Sequence, residues 1–210
     1  MSPASETPPR PGVEFWFDFI SPFGYVASLR IDELAARHGR AVDWRPLLLG
    51  VTVLKVMGLP AVPKTPLKGA YAGRQLARYL RRHGLVLGRE PGAAPMNPLP
   101  CGRLFAWLKA HAAEHAKPAA RAILDAYWIQ ALAMDDPATL RGVVLAAGVP
   151  ASVVDAGMAS PEAAALLKAQ VDAAIAAGAF GSPFVIADGE PFFGVDNFEL
   201  LEAWLEAGGW

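Results

Sequence analysis

The chain has 210 residues, of which 53% are hydrophobic and 19% charged, with a formal net charge of −1. That length and apolar content allow a core of ordinary size and exclude a disordered chain, and the near-zero charge excludes the basic excess of a nucleic-acid binder. One cysteine, Cys101, rules out an internal disulfide, a Cys-x-x-Cys redox pair and a cysteine-rich metal site, which suits a reducing cytoplasm.

Residues 1–12, "MSPASETPPRPG", are polar and Pro-rich and read as a flexible tail, not a signal peptide. No apolar run approaches the roughly 18–20 residues that would cross a bilayer, so a soluble protein with no membrane partner is expected. Val13 to Ile20 is rich in Phe and Trp and reads as a strand buried on both faces. Ser21-Pro22 then opens a helix with Val26, Leu29, Leu34 and Ala35 on one face and Gly39 as its stop. A second strand over Ala41 to Gly50 completes a βαβ unit, whose crossover makes the two strands parallel neighbours.

Between Val51 and Gly178 the pattern is helical throughout, in Ala/Leu/Arg-rich stretches such as "LKGAYAGRQLARYLRRHG", "GRLFAWLKAHAAEHA" and "AARAILDAYWIQALAM" separated by Pro, Gly or Asp-Pro. The chain closes with a short apolar run, an Asp188-Gly189 turn, a second short run, and a helix facing inward with Phe198, Leu201, Trp204 and Leu205. A βαβ start and a ββα finish around a helical block is the order of an α/β thioredoxin-like fold with a large all-helical insertion. The expected division is 13–50 with 179–210 for the thioredoxin-like part and 51–178 for the insertion.

Two corners carry the candidate chemistry. Ser21 before Pro22 has the pattern of an ordinary helix N-cap, the hydroxyl accepting from a first-turn N–H and Pro fitting the first helical position. The same geometry lets a hydroxyl turn outward and donate to an anion beside the unpaired N–H groups of the helix start. Asp196, three residues before Glu199, has capping-box spacing at the last helix. Ser182-Pro183 reads from pattern as a turn before a strand, and Lys68 and Lys55 read as solvated charges. His111 and His115 at i, i+4 lack a third ligand, so no metal site is expected. Trp107, Tyr127 and Trp128 read as core, or as an aromatic rim over a substrate.

Five stretches in order, "FDFISPFGYVAS", "WRPLLLG", "PLKGAY", "GAFGSPF" and "FFGVDNFELL", make the chain from Val13 to Leu205 resemble the family of 2-hydroxychromene-2-carboxylate isomerases and class kappa glutathione transferases. The resemblance implies a thioredoxin fold with a helical insert, glutathione as cofactor, a small aromatic carboxylate as substrate, and a homodimer. It places Ser21 on the catalytic serine that donates to the glutathione thiol. It makes Pro183 a cis-proline and Ser182 the residue whose backbone pairs with the cysteinyl part of glutathione, so that the Ser182 side chain should matter little. It puts Asp196 near the γ-glutamyl amino group, with Asn197 standing where many relatives have Arg, and Lys68 near a carboxylate of glutathione or substrate. Leu59 departs from the family, which commonly has a glutathione-binding Asn there. The expected activity is glutathione-dependent cis-trans isomerisation; a kappa-type transferase and a non-catalytic thioredoxin-fold binding protein are the alternatives.

Overall fold

In a computed structural model, which describes residues 12–210, the chain begins with β1 (Val13–Phe17), α1 (Pro22–Ser28), α2 (Ile31–Arg37) and β2 (Val42–Pro46). A short α3 (Leu49–Val51) runs into a π-helical turn (Thr52–Val56), and a 3-10 turn (Val62–Lys64) precedes α4 (Lys68–Arg82). Then follow α5 (Leu99–His111), α6 (Ala113–Trp128), α7 (Pro137–Ala146), α8 (Ala151–Ala159) and α9 (Ala163–Ala176). The hairpin of β3 (Phe184–Ala187) and β4 (Glu190–Phe193), a 3-10 turn (Val195–Asn197) and α10 (Phe198–Ala207) close the chain. Of the tail predicted over residues 1–12, residues 1–11 lie outside the described residues.

The four strands lie in the order β2-β1-β3-β4. β1 pairs in parallel with β2, Phe15 opposite Trp44, and antiparallel with β3, Phe15 opposite Val185. Asp188 and Gly189 both have positive φ, 55° and 88°, the geometry of a type I′ hairpin turn. This is the thioredoxin-like arrangement with the helices of the insertion laid around it.

β1 is buried on both sides, as its composition predicts. Phe15 and Phe17 face Trp44, with ring centroids 5.1 and 5.3 Å away, and Phe17 meets Phe105 of α5 edge-on at 5.4 Å. Trp16 points the other way, into a smaller cluster with Leu47, Ala174 of α9, Ala179 and Phe184. The insertion also covers β2: Lys109 Nζ donates to the Trp44 carbonyl at 2.7 Å and Lys117 Nζ to that of Val42 at 3.3 Å. Backbone groups of a strand flanked on one side only are thereby occupied from within the chain.

Several helix boundaries differ from the sequence pattern. The single helix predicted after Ser21 is two, because the Ser28 hydroxyl donates back to the Tyr25 carbonyl at 2.6 Å and the chain turns at Leu29–Arg30. Leu29, predicted on the inner face, is 43% exposed. The stretch at "GRLFAWLKAHAAEHA" breaks at Ala112, whose φ of −151° is not helical, and α6 ends at Trp128, before Ala131 with its φ of 56°. Among the described residues no helix is long and apolar enough to cross a membrane.

Candidate functional site

Asp18 to Ile20 lead from the end of β1 over the sheet edge, and Ser21 starts α1 from an extended conformation, φ −93° and ψ 115°. Its hydroxyl accepts from the Gly24 N–H at 3.0 Å and donates to the Ser182 carbonyl at 2.9 Å. The cap forms as the pattern predicts, and the hydrogen of the same hydroxyl goes to the Ser182 turn. Only 4% of Ser21 is exposed, so any partner it meets is met almost out of water.

The Ser182-Pro183 bond is cis, and its turn packs directly on the corner. Here the structure corrects one expectation: the Ser182 side chain is engaged, its Oγ accepting from the Asp18 N–H at 3.0 Å. The two turns are thus tied twice, the Ser21 hydroxyl holding the Ser182 carbonyl and the Ser182 hydroxyl holding the Asp18 N–H three residues before Ser21. Gly24 makes the approach possible, since a Cβ there would lie 2.5 Å from Ser182 Oγ and 3.3 Å from the Asp18 carbonyl oxygen. Gly24→Ala would gain roughly 1 kcal/mol of helix propensity, yet overpacking of this kind costs about 1–3 kcal/mol. The expected result is net destabilisation in denaturant unfolding, partly relieved in the double variant with Ser182→Ala; a Gly24→Ala protein more stable than wild type would disprove the close fit.

Below the corner sits a carboxylate that the sequence reading missed. Asp18 is 1% exposed; its Oδ2 accepts from the Leu49 N–H at 2.7 Å and its Oδ1 from the Ile20 N–H at 3.2 Å, while its carbonyl accepts from the Ser21 N–H at 3.0 Å. Burial raises its pKa to about 6 against the lowering effect of the N–H groups of Leu49, Ile20 and Phe19. One residue thus joins the Ser21 corner, the Ser182 turn and the start of α3. The insertion adds another support, Trp128 Nε1 donating to the Phe19 carbonyl at 3.0 Å. Trp128 and Tyr127 are core, 2% and 1% exposed, and Trp107 is half-buried.

The remaining predicted residues have no hydrogen bond to Ser21, Ser182 or Asp18 among the described residues. Asp196 sits in the 3-10 turn that packs against α1, and the capping box does not form: α10 begins at Phe198 with no side-chain cap. Its exposed carboxylate instead accepts from Gln75 Nε2 of α4. Asn197 Nδ2 donates to the Phe193 carbonyl at 2.6 Å, and the residue lines a cleft of about 330 Å³ with Trp204 and Trp210 that does not include Ser21. Lys68 is exposed at the start of α4, after Leu67, whose φ of 62° and ψ of −54° close a strained γ-turn with the Lys68 N–H donating to the Pro66 carbonyl at 2.7 Å. Leu59, 48% exposed, and Lys55 belong to the segment that starts at the Asp18–Leu49 bond. His111 Nε2 lies 2.7 Å from a Glu162 oxygen and His115 beside Glu114.

A sequence model of the DSBA-like thioredoxin domain family matches residues 12–206. A 2-hydroxychromene-2-carboxylate isomerase of Sphingobium xenophagum is 26% identical over 198 residues, covering 92% of this chain and 97% of that protein. One from Pseudomonas putida is 26% identical over 194 residues, covering 91% and 92%. A solved structure of a 2-hydroxychromene-2-carboxylate isomerase superposes with a TM-score of 0.76 at 25% identity, covering 93% of this chain and 94% of that one.

Proposed function

The chain belongs to the DSBA-like thioredoxin domain family, and from that premise we propose that it is a glutathione-dependent isomerase acting on a 2-hydroxychromene-2-carboxylate or a similar aromatic carboxylate. The observation that carries this reading is the contact of Ser21 with Ser182, a buried hydroxyl donating to the carbonyl of the residue before a cis-proline, at a corner that holds no cysteine. The names of relatives that match over nearly their whole length support the isomerase class.

The residues fit glutathione on one specific count: the Ser182 N–H donates to no group among the described residues, and the carbonyl of the same residue accepts from the Ser21 hydroxyl. Glutathione, when bound, supplies a thiolate that adds reversibly to a conjugated double bond and so lets that bond rotate. The protein's part is to hold the sulfur and the charges. Ser21 turns its hydrogen from the Ser182 carbonyl to the sulfur while its oxygen keeps the Gly24 N–H, so the helix cap survives the switch. A free thiol has a pKa of about 8.5, and lowering it by one or two units makes the thiolate a major species near neutral pH. The Ser182 N–H and carbonyl pair with the cysteinyl backbone. The carboxylate of Asp196 takes the γ-glutamyl ammonium, oriented by Gln75, and Lys68 meets a carboxylate.

Calorimetric titration with glutathione tests the reading: binding is expected in the micromolar to millimolar range, and none at millimolar ligand would overturn it in favour of a non-catalytic binding protein. Asp196 caps nothing, so Asp196→Asn should leave the melting temperature within a few degrees of wild type. A charge-assisted bond is roughly twice as strong as a neutral one, so the glutathione Kd should rise several-fold, less so at high salt. An unchanged Kd would remove Asp196 from the site.

A further inference from the structure

From Trp44 to Arg89 the chain carries nine Lys and Arg and not one Asp or Glu. With a net charge of −1 overall, the remainder is left at −10. The asymmetry is organised in space by α4. Arg74, Arg78 and Arg81 recur at helical spacing, all are exposed, and none has an ion pair among the described residues. Arg82 beside them makes one exposed pair, with Glu199 at 3.5 Å.

α4 is fixed to the site by its other face. Gln75 reaches Asp196, and Tyr79 accepts from Arg30, at the α1–α2 junction, through its hydroxyl at 3.1 Å. Lys68, at the start of the helix, is seven residues from Gln75, about 10 Å along the axis. The arginine stripe therefore runs away from the Ser21–Asp196 region along a helix that borders it.

We propose that this stripe is an electrostatic collector that draws anionic substrates, glutathione and an aromatic carboxylate, toward the Ser21 end of an otherwise acidic protein. The inference rests on the function proposed above. Both ligands are anions, and a surface at net −10 would repel them; a positive wall within a Debye length of about 8–10 Å reverses the local sign. Fields of this kind raise association rates by about 10–10³ and fade with salt. An anionic membrane is the less suitable occupant. A helix lying in a lipid interface needs its apolar face free, and α4 buries Leu76 and Tyr79 against the protein, leaving only Leu67 and Tyr71 apolar and exposed on the outside.

The test combines Arg74→Glu, Arg78→Glu and Arg81→Glu, with the triple Lys variant as control, in stopped-flow binding of glutathione. The association rate of the Glu variant should fall about ten-fold at low salt, converge on wild type at high salt, and leave the dissociation rate unchanged, while the Lys variant behaves as wild type. An unchanged association rate, or an effect confined to dissociation, overturns the collector. Relaxation of amide protons by cationic and anionic nitroxide probes reads the potential at Lys68 and Asp196 without any bound ligand. A positive potential there with no glutathione binding sinks the proposed function and spares the field; a neutral or negative potential sinks the collector whatever glutathione does. Binding to phosphatidylglycerol vesicles that the Glu variant loses, with association of glutathione unaffected, would assign the stripe to membranes instead.

Discussion

Replacing Ser21 by alanine is expected to leave a folded protein that binds glutathione and isomerises its aromatic substrate about ten- to a hundred-fold more slowly at neutral pH, the factor that a thiol pKa shift of one to two units implies. Two groups lose a partner, the Gly24 N–H and the Ser182 carbonyl, and the loss of an N-cap costs roughly 1 kcal/mol. That is small beside the stability of a domain of this size. The kinetic effect is larger because the hydroxyl is buried, and a donor preorganised in a dry site cannot be replaced by water at the moment the sulfur ionises. The ultraviolet absorbance of the bound thiolate against pH reads the effect directly. Ser21→Ala should move its midpoint up by one to two units, and Ser21→Thr, which keeps the donor, should move it little. An unchanged midpoint in Ser21→Ala would show that the sulfur is ionised by something other than Ser21.

The parts of this site that the sequence exposed are those whose chemistry shows in residue type and local order. A Ser-Pro after an aromatic strand and a second Ser-Pro before the final hairpin were legible, and the fold brings them to 2.9 Å. The hairpin was legible because Asp188-Gly189 is a turn with a steric reason behind it. What stayed hidden depends on contacts across long separations. Gly24 looks like an indifferent glycine in a helix until Ser182 is placed against it, and Gln75 looks like surface until Asp196 arrives from 121 residues away. Asp196 illustrates the limit from the other side: its spacing to Glu199 satisfies a capping pattern, yet an extra 3-10 turn moves the helix start past it.

Asp18 was illegible for the same reason, and it makes the second large prediction. Its pKa is about 6 in the folded protein against 3.8 for an ordinary aspartate, mainly through burial. A group raised in this way contributes stability below its unfolded pKa and loses it as pH rises through the folded one, so its ionisation opposes folding between roughly pH 4 and 6. At about 1.4 kcal/mol per unit the difference reaches about 3 kcal/mol near pH 7. Asp18→Asn removes that term. An N–H left without an acceptor costs the variant roughly 1–3 kcal/mol at every pH, but from pH 4, where Asp18 is protonated, to pH 7 its stability relative to wild type should rise by up to about 3 kcal/mol in denaturant unfolding. Function should move the opposite way. Only a carboxylate accepts from both Leu49 and Ile20, and an amide must turn its own N–H groups toward one of them, loosening the corner that holds Ser21. A relative stability that rises with pH, together with several-fold slower turnover, is the expected pair of results, since a buried charge kept at a site is stability given up for geometry. Parallel stability profiles for the two proteins from pH 4 to 7 would mean that Asp18 titrates as an ordinary carboxylate, and that its bonds to Leu49 and Ile20 hold the corner without straining the fold.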